Sequence, residues 1–128
     1  MVVSRHSRVL KIGYHKLAKQ IGQHGFFAVV TVGHYGVVGG PVIDLAETAT
    51  RSRFGEAAVR GVRYALAHSE PPVDMSVTGV SITVIEDFPV DTSSPAVEFA
   101  ACYATWQATD RKPTREPRFE GVKIVFED

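Results

Sequence analysis

The residues best placed to do chemistry lie in one early stretch, HKLAKQIGQHGFF, residues 15–27. His15, Lys16, Lys19 and His24 stand in it beside a Gly22-x-x-Gly25 and two aromatics, with no acid, and no acid precedes Asp44. Such a segment can grip phosphate through its cations and backbone amides, bind a metal through its histidines, or simply turn between two strands. The metal reading is the weaker one. His15, His24 and His34 are ten and nine residues apart, with no i,i+4 pair and no carboxylate nearby. Histidines at the surface beside the lysines would instead add positive charge below about pH 6.5. Gly22-x-x-Gly25 is half of a dinucleotide fingerprint, and a short turn is the simpler reading. No Gly-x4-Gly-Lys-Ser/Thr loop exists, so nucleotide hydrolysis has no support.

A second group is acidic. Glu86, Asp87 and Asp91 could share acid–base work. Yet Asp91, Thr92 and Ser93 directly precede a helical pattern, where side-chain acceptors satisfy free backbone amides, so capping is the expected role. Cys102, the one cysteine, sits in AACYA among small residues and reads as buried structure rather than a nucleophile. It excludes an internal disulfide or a multi-cysteine zinc site. Trp106, one turn beyond it, belongs at the edge of a core, with stacking on a base the minor alternative.

These groups need a scaffold, and 128 residues with 45% hydrophobic content are enough for one domain, residues 1–128. No apolar run approaches a membrane span and no secretory signal is evident, so a reduced, cytoplasmic setting is expected. The net charge of zero hides an asymmetry. Residues 1–68 carry nine Lys and Arg against three acids and hold all five histidines; residues 69–128 carry five against eleven. That polarity either gives an anion-seeking face or cancels where the halves pack together.

The hydrophobic period predicts the elements. Residues 9–14 read as a strand with Leu10 and Ile12 on one side, 26–32 as a second strand, and VIDLA as a short third. Apolar steps of three and four from Phe54 to Leu66 predict an amphipathic helix over 52–68. Alternation after Met75 predicts a strand with Val80, Ile82 and Val84 facing one way. A helix over 96–108 follows, with Pro95 in its first turn and a small-residue face of Ala100, Ala101, Ala104 and Ala108. FEGVKIVFED ends the chain as a strand. The expected fold is an α+β two-layer sandwich: one sheet with both helices on one face.

Three segments, in order, resemble domain IV of translation elongation factor G. In HKLAKQIGQHGFFAVVTV, Lys19, Gln20, Gly22, Gly25, Phe27 and Ala28 match the family's opening. In FGEAAVRGVRYAL, Arg60, Gly61, Val62, Arg63, Ala65 and Leu66 fall in register with its first helix. Val90, Asp91, Thr92 and Ser93 stand for its Val-Asp-Ser-Ser signature, and Ala100-Ala101 for the small pair of its second helix. The likeness covers about residues 11–108. It implies a four-stranded mixed sheet with two helices on one face and a left-handed βαβ crossover, against the usual hand. It also implies two tip loops, residues 19–27 and 86–93, that approach RNA in the ribosomal decoding site. The chain departs from the family at Gln23, Phe26, Phe88 and Pro89.

The expectation is therefore a non-enzymatic domain that binds RNA or the ribosome and modulates translation. Lys16, Lys19, Gln20, His24, Phe26, Phe88, Asp91 and Ser93 are its candidate contacts, with no cofactor and no metal. The alternative is a reused scaffold, a protein-interaction or oligomer-forming module, favoured by the apolar residues Phe26, Phe88 and Pro89 at the tips. A small enzyme using Asp87 or Asp91 with His24 has the least support.

Overall fold

A computed structural model describes residues 9–127. His6 and the first basic residues lie outside the described residues. Two long strands, β1 (Val9–Ile21) and β2 (His24–Gly36), form a hairpin. A short β3 (Val42–Leu45), one helical turn α1 (Glu47–Thr50) and helix α2 (Gly55–Ala67) follow. After β4 (Ser69–Glu70) and a 3-10 turn, β5 (Thr78–Glu86) enters the sheet between β2 and β3. Helix α3 (Ser94–Ala108) leads to β6 (Lys112–Pro113), which pairs with β4, and to a hairpin of β7 (Arg118–Glu120) and β8 (Lys123–Val125). The main sheet runs β1-β2-β5-β3, with β3 parallel to β5 and the other pairs antiparallel. It is the expected α+β two-layer arrangement of four mixed strands under helices.

One side of the sheet carries Leu17, Ala28, Val30, Val32, Val80 and Ile82, which pack with Ala57, Ala58, Val62, Leu66, Val97, Ala100, Ala101 and Ala104 of the two long helices. The small-residue face of α3 does what its composition suggests. A Cβ on Gly13 would lie 1.8 Å from the Ala104 carbonyl oxygen, and one on Gly61 would lie 2.5 Å from that of Glu98. Backbone therefore meets backbone on both sides of α3, and only glycine fits opposite. α3 is apolar nearly all round because a third element covers it: Phe119 of the terminal hairpin packs on Phe99 and Phe26.

The structure corrects three sequence expectations. The first strand does not stop near Tyr14 but runs through the basic segment to Ile21. Its Leu10 and Ile12 are exposed, outside the core. Val84 also leaves the row of Val80 and Ile82. Thr31 pairs with Val84 and Val32 with Ile82, so Thr83 is an extra residue, and Ile85 takes the inward place. Finally, the C-terminal segment is not a sheet strand but a separate hairpin. It lacks the length to add a useful edge, and burying its aromatics against α3 removes more apolar surface from water.

Candidate nucleic-acid interface

The hairpin turn is only Gly22 and Gln23, because Ile21 pairs directly with His24. Gly22 has φ 60°, the conformation a two-residue turn with glycine first requires. The expected loop over 19–27 is thus mostly strand. This stiffens it: Lys19 pairs with Phe26, Gln20 with Gly25, and alternation sends neighbours to opposite faces.

The second loop is fastened to this hairpin. Phe27 N–H donates to the Asp91 carbonyl at 3.0 Å. Thr92 Oγ1 donates to the Phe27 carbonyl at 2.7 Å and accepts from Phe88 N–H at 2.8 Å. Phe88 lies flat on Phe27, centroids 4.1 Å apart and planes 12° from parallel. Asp91 overlies the turn so closely that a Cβ on Gly25 would fall 2.6 Å from its carboxylate. Together, Ala18, Lys19, Gln20, Gly25, Phe26, Phe27, Phe88 and Asp91 line an open cleft of 270 Å³.

Five of the eight expected contacts, Lys19, Gln20, Phe26, Phe88 and Asp91, converge on this cleft. Lys16 is on the outer sheet face, its Nζ 6.0 Å from the Phe27 ring centre, adjoining the cleft rather than lining it. His24 is exposed at the start of β2 and its side chain makes no hydrogen bond or ion pair with the described residues. Two expectations change. Phe26 is half-buried edge-on against Phe119, so its ring serves packing as much as any ligand. Ser93, not Asp91, supplies the cap of α3, accepting Ala96 N–H at 3.4 Å. Asp91 is held at the turn instead.

Lys19 Nζ stands 4.3 Å from the Phe119 ring centre, a cation held over an aromatic face. The tip is not purely basic, since Glu86, Asp87 and Asp91 come with the second loop. His15 is not a surface partner of the lysines. It is half-buried against Phe99 and Tyr103, and burial pushes its pKa below the ordinary 6.5. His34 is lowered too, by burial and then by the Arg111 charge, with Asp110 opposing. Among the described residues, no three His, Cys, Asp or Glu side chains converge as a metal site would need.

The remaining sequence candidates are structural. Cys102 is buried, its Sγ donates to the Gly61 carbonyl at 3.3 Å, and burial pushes its thiol pKa far up, opposite to what a nucleophile needs. Trp106 is buried and its Nε1 donates to the Ala65 and His68 carbonyls, closing the end of α2. Sequence reasoning missed two working parts of the tip. Thr92 read as a helix cap but pins the loop to β2. Phe119, ninety-three residues from Phe26, had no local signal at all.

No protein-family model matches the chain, and no curated protein matches it. Among solved structures, a crystal structure of a protein from Thermus thermophilus is similar, with a TM-score of 0.61 and 24% identity. The match covers 76% of this chain and 15% of that one, so the chain spans a small part of that protein's length. This likeness concerns the fold. Among the described residues, no helix is long and apolar enough to cross a membrane.

Proposed function

We propose that this chain is a non-enzymatic, cytoplasmic RNA- or ribosome-binding domain, similar to domain IV of elongation factor G, that modulates translation through its tip. The observation that carries this reading is the clamped pair of loops. Lys19 and Gln20 line one cleft with Phe27, Phe88 and Asp91, the Lys19 ammonium over Phe119 and Lys16 adjoining Phe27. Cations and exposed amides suit phosphate, and the half-exposed Phe27–Phe88 stack offers a flat face to an unpaired base. Co-sedimentation with ribosomes and with single-stranded RNA over a salt series tests it. Binding should weaken steeply as salt rises, because phosphate contacts release counterions. Absence of binding at low salt would remove the proposal.

The second reading, a protein-interaction or oligomer-forming scaffold, has its own observation. Val9, Leu10, Ile12, Tyr14 and Val84 are exposed on the sheet. A salt-insensitive dimer in light scattering would favour it.

A further inference from the structure

We propose that the open side of the sandwich, between β3 and α2, takes up an extended peptide segment that adds a strand to β3 and places an acidic side chain on Arg63. Two adjoining hollows of 460 and 440 Å³ lie there, and Arg63 lines both. Their sheet wall is Ile43 and Leu45; their helix wall is Val59 and Leu66. Val59, Arg63 and Leu66 follow at steps of four and three, so they share one face of α2.

Three properties select the occupant. First, among the described residues β3 is an edge strand that pairs with β5 alone. Ala46 N–H donates to the Ile82 carbonyl at 2.9 Å, so the even-numbered residues point their polar groups at β5. Alternation then turns the N–H and C=O of Ile43 and Leu45 outward, the pattern an added strand can satisfy. Second, the 460 Å³ hollow is lined by Pro41, Val42, Ile43, Leu66 and Met75 besides Arg63, which suits apolar side chains, while Glu56 and Arg60 join Arg63 at the other. Third, Arg63 is exposed and its side chain has no ion-pair or hydrogen-bond partner among the described residues. Arg60, one turn back, is already engaged with Glu98 at 3.1 Å. Glu56 stands at the Leu45 end and disfavours a second acid there. The complementary ligand is a peptide with apolar residues at alternate positions and one Asp or Glu opposite Arg63.

A positional-scanning library of acetylated, amidated hexapeptides, read by fluorescence polarisation on the full chain, tests this. Bound peptides should show branched apolar residues at alternate positions and an acid at one fixed position. The acid should strengthen binding about fivefold, as a partly exposed ion pair does. Arg63→Glu, on an exposed helix surface, should fold as the parent does by circular dichroism and shift the preference at that position to Lys or Arg. Methylating alternate backbone nitrogens of the selected peptide should abolish binding. The proposal is overturned if no hexapeptide binds, if the acid preference survives in Arg63→Glu, or if methylation has no effect. None of these outcomes depends on the RNA reading.

Discussion

Gly13 shows how much one hydrogen atom in place of a methyl group can decide. Its absent Cβ would sit 1.8 Å from the Ala104 oxygen, so Gly13→Ala must push α3 off the sheet. Overpacking of this kind costs about 1–3 kcal/mol or more. Urea denaturation should show that loss, and an unchanged midpoint would contradict the packing. The alanine run of α3 was legible as a close-packing face, but Gly13 was not. Its partner lies ninety-one residues away, and glycine in a strand has several local explanations. His15 gives a residue-scale test of burial. The unfolded chain takes up its proton near pH 6.5, the folded chain only at lower pH. Between those values the unfolded state binds more protons, so stability is full above about pH 6.5 and falls as pH drops through the window. The urea midpoint should decrease from pH 7.5 to 5.5, and His15→Phe should lessen that decrease. His34 keeps the remainder, because its pKa is lowered in the same direction.

At the scale of elements, periodicity located the helices and the main strands, because one buried side leaves its trace in the sequence. It failed where a single residue breaks register. The extra Thr83 moves Val84 outward and Ile85 inward, and no local signal marks a bulge without glycine. It also failed at the terminal hairpin, whose place depends on aromatic contacts between distant segments. The tip depends on such a contact too. Thr92 bonds to both Phe27 and Phe88, so Thr92→Val leaves a carbonyl and an amide without partners. The expected cost is about 1–3 kcal/mol. Amide exchange at Phe88 should speed up while α3 exchange follows only the global loss. Equal change at both would mean the hydroxyl does not hold the loop.

For the whole molecule, the basic first half and acidic second half are not opposite poles. β5 of the second half lies between β2 and β3 of the first, and Lys11 with Asp110 and Arg60 with Glu98 pair across the divide. What remains uneven is local: lysines on the hairpin, carboxylates on the loop clamped to it. Sequence order brought the two loops to attention, and the fold brings five of their residues to one cleft, but the sequence could not show the mixed charge of that cleft. The central claim is that this tip, not the uncovered sheet face, meets RNA. The most direct measurement is an amide chemical-shift titration of the full chain with a short single-stranded RNA at low and high salt. The account predicts shifts concentrated at residues 16–27 and 86–93, lost at high salt and much reduced by Lys16→Ala with Lys19→Ala. Shifts confined to Val9, Leu10, Ile12, Tyr14 and Val84, or no shifts at low salt, would contradict it.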